Sequence, residues 1–246
     1  MTETQQAPLD PHDLAALGRA STATITTQLF KHGLRNTFLP GLRSQSPNAP
    51  RMVGEAFTLR YIPAREDIDV LEVFDDYDHP QRKAVELVGP GQVLVIDCRG
   101  DGRAASAGHI LLTRMASRGA GGIVTDGTLR DIEGISRLEL PVYATGAAAM
   151  TNLALHHAVD MQVPIGCAGV PVYPGDVMVG DGDGVVCVPR HLVPVIAQAA
   201  AEQEQLEAYL QQRVAQGAPL RGTYPADART LQAYDQARGP IEVSSN

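Results

Sequence analysis

Apolar residues recur at helical spacing near the start of the chain, where Leu14 and Leu17 follow Asp10. A second helical pattern runs through Thr22, Ile25 and Leu29 and breaks at Gly33. The pattern then changes. Residues 40–50, crowded with Pro, Gly, Ser and Asn, predict a loop, and residues 56–62 alternate as a half-buried strand does. Residues 92–98 form a continuous apolar run, as expected of a strand covered on both faces. A glycine-rich turn over 100–108 follows, leading into a helix that carries Ala107, Ile110, Leu111 and Met115 and ends near Gly119. Residues 122–125 predict the next strand, with Asp126 to Asp131 at its carboxyl end, and 141–145 a third after a short helix. Segments 177–179 and 185–188 flank a Gly/Asp-rich stretch and predict a β-hairpin. Residues 192–214 predict a long polar helix suited to packing across a surface or a neighbouring subunit.

This alternation predicts an α/β fold with a partly parallel sheet and helices packed on it. Its 246 residues suit one sizeable domain. The expected organisation is a disordered tail over 1–8, the α/β domain over 9–190, and a C-terminal helix and tail over 191–246. Trp is absent and aromatics make up only 4%, so the core must come from Val, Leu, Ile and Ala. No run approaches 18 apolar residues, so no membrane span or membrane partner is expected. The opening MTETQQAPLD lacks the basic and apolar regions of a signal peptide. Cys98, Cys167 and Cys187 are odd in number and far apart, reading as buried thiols in a reducing cytoplasm rather than a disulfide framework. A net charge of −8 opposes nucleic acid as a partner.

Only Lys31 and Lys83 are lysines, both in polar neighbourhoods, so a Schiff base is a poor expectation. If carbonyl compounds are handled, a metal is the better electron sink. In open α/β sheets, ligands gather beyond the carboxyl ends of strands. There the N-terminus of the helix after the glycine-rich turn suits a carboxylate. Arg130 could clamp such a group bidentately, and Asp131 supplies one hard oxygen ligand for Mg²⁺ or Mn²⁺. Adjacent residues in an extended chain diverge, but at a strand end the chain turns and both can reach one cavity. A metal chelated by a 2-oxo acid would stabilise a developing enolate. Taken alone, an Arg-Asp pair reads as a surface pair or a helix cap. Other candidates carry less. Asp67, Asp69, Asp75, Asp76 and Asp78 read as a solvated loop and helix face, and His156 and His157 as helix-surface residues. Gly100-x-Gly102 lacks the third glycine of a dinucleotide loop, Ala105 standing there.

Residues 100–134, GDGRAASAGHILLTRMASRGAGGIVTDGTLRDIEG, resemble the RraA-like family through the DG-x-x-RD element formed by Asp126, Gly127, Arg130 and Asp131. Pro174-Gly-Asp176 and the later Asp181-Gly-Asp-Gly-Val-Val resemble the family's PGD…D-x-x-GVV segment, and the likeness extends over about 14–192. The family includes 4-hydroxy-4-methyl-2-oxoglutarate aldolases with oxaloacetate decarboxylase activity. The resemblance implies a swivelling β/β/α (phosphohistidine-domain-like) single domain with N- and C-terminal helical additions, assembled as a homotrimer or hexamer with sites between subunits. It implies a metal-dependent aldolase or decarboxylase acting on a small 2-oxo acid and releasing pyruvate. Arg130 would bind substrate, Asp131 would position the metal, and the helix start at Gly108, His109, Ile110 and Leu111 would hold a substrate carboxylate. A carboxylate such as Glu202, Glu204 or Glu207 could enter a neighbouring site. Two positions depart from the family. Gly134 stands where an acidic residue is common, with Glu133 one earlier, and His109 replaces a small or acidic residue, as a cap or an added proton donor. The alternative is a non-catalytic RraA-type regulator that binds ribonuclease E.

Overall fold

The computed structural model describes residues 7–238, so most of the tail expected over 1–8 lies outside the described residues. Asp10 caps α1 (Pro11–Arg19) by accepting from His12 N, and Ser21 caps α2 (Thr22–Lys31) by accepting from Thr24 N. Then come β1 (Phe38–Leu39), β2 (Arg43–Ser44), β3 (Met52–Pro63), α3 (Pro80–Leu87), β4 (Val93–Asp97) and β5 (Ala105–Gly108). The middle holds α4 (His109–Ser117), β6 (Gly122–Thr125), β7 (Thr128–Arg130), α5 (Ile132–Ile135), β8 (Val142–Ala144) and β9 (Gly146–Ala147). After these lie β10 (His156–Met161), β11 (Ile165–Cys167), β12 (Val170–Val172), β13 (Val177–Gly180) and β14 (Val185–Val188). The chain closes with α6 (Val193–Ala215), α7 (Leu220–Thr223) and α8 (Ala228–Arg238).

These elements make a mixed α/β fold. The main sheet runs β1-β14-β13-β3-β4-β6-β8-β2, with β10 also paired to β3. Its centre, β3-β4-β6-β8, is parallel, and its margins are antiparallel. The twelve-residue β3 organises it. One edge pairs with β4, while the other pairs with β13 over Met52–Glu55 and with β10 farther along. The half-buried alternation expected over 56–62 is accordingly lost at Ala56, Phe57, Thr58 and Leu59, all of which are buried. Both faces there are covered, one by the core holding Leu112 and Met115 of α4, the other by the β11–β12 hairpin. A third apolar cluster seats α1, α2 and α6 on Val177, Val179, Val186 and Val188 of the predicted hairpin. No described helix is long and apolar enough to cross a membrane.

Two local expectations are corrected. The segment 100–108 is a turn only in its first half. Residues Ala105–Gly108 form β5, which pairs in parallel with β7, and β7 with β9, in a small second sheet. Ala107 is therefore a strand residue, α4 starts at His109, and its buried residues are Leu112 and Met115, while Ile110 is 82% exposed. This also removes any dinucleotide loop, since Gly100 and Gly102 lead into a strand and not a helix. The second correction concerns His156 and His157, which lie on β10. His156 is fully buried and stacked on Tyr61 at 5.5 Å, and His157 Nδ1 lies 2.7 Å from Asp69 Oδ1.

Candidate functional site

The site forms where the small sheet meets α4. Just past β6, buried Asp126 accepts hydrogen bonds from Cys98 N at 2.6 Å, Gly100 N at 2.9 Å and Ala168 N at 3.2 Å. Burial raises its pKa, against the lowering effect of these N–H groups. The carboxylate thus fastens the β4–β5 turn and the β11–β12 hairpin to the end of β6. At Gly127 a Cβ would lie 2.8 Å from Cys98 Sγ, so only glycine lets the chain step off the main sheet here. Thr128 Oγ1 then donates to Gly102 O at 2.9 Å and starts β7.

The β5–β7 register places Gly108 opposite Arg130. A Cβ on Gly108 would lie 3.0 Å from both Arg130 Nε and Asp131 Oδ2, so the missing side chain makes room for the pair. Asp131 adopts the left-handed conformation, φ 63° and ψ 41°, at a cost of roughly 1–2 kcal/mol. That turn cancels the divergence of adjacent strand residues. Arg130 Nε and Asp131 Oδ2 come within 3.8 Å, and both side chains are about half exposed. They line a cleft of about 260 Å³ with Gly108, Ile110 and Leu111. Gly108 provides no side-chain cap, which leaves the first-turn amides of α4 without a side-chain acceptor.

His109 is not among the cleft-lining residues. Its ring lies over Gly134, where a Cβ would approach Nδ1 to 2.5 Å. The two departures from the family pattern are therefore one packing event: the bare glycine accommodates the imidazole. Glu133 pairs instead with Arg137 one turn on. Glu204 accepts from Ser21 N at 2.8 Å, holding the start of α2. The PGD…D-x-x-GVV carboxylates are also structural. Asp176 accepts from Tyr173 N at 2.9 Å and Arg190 N at 3.0 Å. Asp181 binds both the backbone N and the hydroxyl of Thr22 at 2.8 Å.

Phe74, Gln81, Arg82, Thr151 and Asn152 also line the cleft, and none stood out in the sequence. Gln81 Nε2 donates to Tyr61 Oη at 3.1 Å and Ser106 O at 2.8 Å, tying α3 to β5. Arg82 stacks over the Phe74 ring at 4.3 Å. Its neighbourhood, HPQRKAVE, reads as solvated, and only the placement of α3 brings it inward. The one signal available was the surplus of arginine over lysine. Neither lysine lines the cleft: Lys83 pairs with Asp78 at 2.8 Å, which raises its pKa, and Lys31 reaches Gln203.

For a divalent cation, the donor set is a single carboxylate. No group of three His, Cys, Asp or Glu side chains able to hold a metal occurs among the described residues, which argues against a structural zinc arrangement. Asp131 accepts no side-chain hydrogen bond among the described residues; Arg130 Nε lies 3.8 Å from its Oδ2, beyond hydrogen-bonding distance, so its oxygens keep lone pairs for a cation. That fits Mg²⁺ or Mn²⁺, which takes one or two carboxylates and completes its shell with water and substrate oxygens.

Comparison with known proteins adds three findings. The family model described as "RraA-like: Aldolase/RraA" matches residues 22–187. A protein of Halalkalibacterium halodurans provisionally named a 4-hydroxy-4-methyl-2-oxoglutarate aldolase is 36% identical over 126 residues, half of this chain. The match spans 58% of that relative, less than two thirds of its length. Among solved structures, Streptomyces coelicolor RraAS2, described as an unusual member of the RNase ES inhibitor RraA protein family, superposes with a TM-score of 0.75 at 29% identity. It covers 85% of this chain and all of that one. An uncharacterized Pseudomonas syringae protein gives 0.76 at 27% identity, over 89% of this chain and all of its own.

Proposed function

The chain belongs to the RraA-like (aldolase/RraA) family, and on that premise we propose that it is a divalent-metal-dependent carbon–carbon lyase that cleaves a small 2-oxo acid and releases pyruvate. The observation that carries this reading is the convergence of Arg130, Asp131 and the start of α4 on one cleft, around the space left by Gly108. A binding surface has no need of a carboxylate left without donors, nor of a backbone bent to aim it.

In this reading Arg130 fixes the substrate carboxylate through its planar fork, and the free amides of α4 from His109 to Leu111 share that charge. Asp131 holds Mg²⁺ or Mn²⁺, directly or through water. When bound, the cation supplies Lewis-acid stabilisation of negative charge developing on the keto oxygen. Leu111 provides an apolar wall beside the reacting carbons, which Ile110 would extend once a second copy covers it. His109, turned onto Gly134, holds the start of α4 against α5. The fold would be the swivelling β/β/α type and the assembly a homotrimer or hexamer, in which a second copy covers the exposed Ile110 and completes the site.

The exposure of Ile110 also favours a second reading, a protein-binding regulator of ribonuclease activity. One experiment decides. Pyruvate release is followed from oxaloacetate and a panel of 4-hydroxy-2-oxo acids, with and without EDTA. Chelator-sensitive release restored by Mg²⁺ or Mn²⁺ supports the lyase. No release from any of them, with binding to a ribonuclease that weakens on Ile110→Asp, supports the regulator.

A further inference from the structure

Of the two guanidinium groups that line the cleft, only Arg130 has a carboxylate beside it. The ionised lining residues are Arg82, Arg130 and Asp131, two cations against one anion before any metal is added. Arg130 has Asp131 at 3.8 Å, whereas Arg82 makes no ion pair or hydrogen bond to a protein acceptor among the described residues. Its guanidinium carbon sits over the Phe74 ring, 4.3 Å from the centroid, a contact that uses the face of the group and none of its N–H donors. Burial lowers its pKa; Tyr61 opposes that, and the like charge of Arg130 adds to it. The group remains charged at neutral pH, and in the free cleft its charge is uncompensated.

A second observation points the same way. Asn152 is 6% exposed, lines the same cleft, and its Nδ2 has no acceptor. A buried donor left unpaired costs about 1–3 kcal/mol, a penalty that an incoming oxygen removes. Gln81, by contrast, is fully occupied as a donor to Tyr61 and Ser106 and serves as a strut.

We propose that Arg82 and Asn152 form a second anion subsite, which receives the far carboxylate of a dicarboxylic 2-oxo acid while Arg130 holds the near one. Arg82 is then the specificity-determining residue of the cleft. This rests on the 2-oxo acid reading, and the test separates the two. The substrate pair is 4-hydroxy-2-oxoglutarate and 4-hydroxy-2-oxopentanoate. In both, the C3–C4 bond breaks, the 4-hydroxyl loses its proton, and C3 gains one to give pyruvate. The other product is glyoxylate from the first and acetaldehyde from the second. They differ at the far end, carboxylate against methyl.

The wild-type protein with Mg²⁺ should prefer the dicarboxylate in kcat/KM. Arg82→Gln should lower kcat/KM for it about 10- to 100-fold, the loss of a charged hydrogen-bonded contact, and leave the monocarboxylate within about threefold. Asn152→Asp leaves the Arg82–Phe74 stack intact while setting an anion beside the subsite, and should erode the same preference. Calorimetric binding of 2-oxoglutarate against 2-oxopentanoate, to wild type and both variants, reads the subsite without turnover. If neither hydroxy acid is cleaved but 2-oxoglutarate binds more tightly and Arg82→Gln abolishes the difference, the lyase reading fails and the subsite stands. Equal effects of Arg82→Gln on both substrates, no effect on either, or no discrimination in wild-type binding would each overturn the subsite.

Discussion

Replacing Gly134 by alanine sets two opposing effects against each other, and the structure says which is larger. Gly134 lies in the single turn of α5, where alanine would gain about 0.5–1 kcal/mol by reducing backbone freedom in the unfolded chain. The new Cβ, however, would sit 2.5 Å from His109 Nδ1 and 2.8 Å from Cε1 and Cγ. Carbon contacts are comfortable only near 3.5–4.0 Å. Because Cγ is among the clashing atoms, rotating the ring in place does not relieve the overlap. The imidazole must leave, or α5 must shift away from α4. Overpacking of this kind typically costs about 1–3 kcal/mol, so the net change should be a destabilisation of about 1–2 kcal/mol. At about 2–4 °C per kcal/mol for a chain of this length, Tm should fall by about 2–8 °C. His109→Ala alone should cost less, since the ring is only partly buried. The double variant should be more stable than Gly134→Ala, with a coupling energy of about 1 kcal/mol or more. Scanning calorimetry of the four proteins supplies the cycle. Additive effects, or a Gly134→Ala protein as stable as wild type, would show that the imidazole does not occupy this space.

Gly108→Ala should leave Tm nearly unchanged, yet cut kcat/KM for pyruvate release about tenfold or more. The Cβ would press Arg130 Nε and Asp131 Oδ2 from 3.0 Å, and small misplacements of reacting groups are costly. Arg130→Ala should lose about 30- to 1000-fold in kcat/KM, with Arg130→Lys recovering only part. Excess Mg²⁺ should partly rescue Asp131→Ala and leave Arg130→Ala unaffected; equal rescue of both would merge roles kept separate here. Stability should fall on acidification. Burial holds the pKa of His156 below its ordinary 6.5, so its contribution is full above that value and is lost as pH falls toward the folded-state pKa. Thermal unfolding between pH 7.5 and 5 should show this decline, and His156→Phe, weaker at every pH, should flatten it. An unchanged slope in that variant would assign the decline to other groups.

Elements whose pattern is local are legible in the chain alone. Periodicity marks α1 and α2, composition marks the long polar α6, and the apolar run at 92–98 and the hairpin strands β13 and β14 stand out because burial on both faces demands unbroken Val, Leu and Ile. Arg130 and Asp131 were legible as a pair because they are adjacent. What they face was not. Gly108 shares their cleft because β5 pairs with β7 across a gap of more than twenty residues, and short strands of Ala, Ser and Gly have no apolar signature to announce them. Ile110 and Ala107 looked like core at helical spacing, but a register set by the neighbouring strand turned one to the cleft and drew the other into a sheet. The histidines of β10 read as helix surface because two adjacent imidazoles carry no period. Tyr61 and Asp69, brought up by other segments, supply their partners. Arg82, Asn152 and the lock of His109 on Gly134 lie furthest from the sequence. A side chain's chemistry is written in the chain, but whether its charge is neutralised, its donor satisfied or its ring given space depends on neighbours that only the folded packing brings within contact distance.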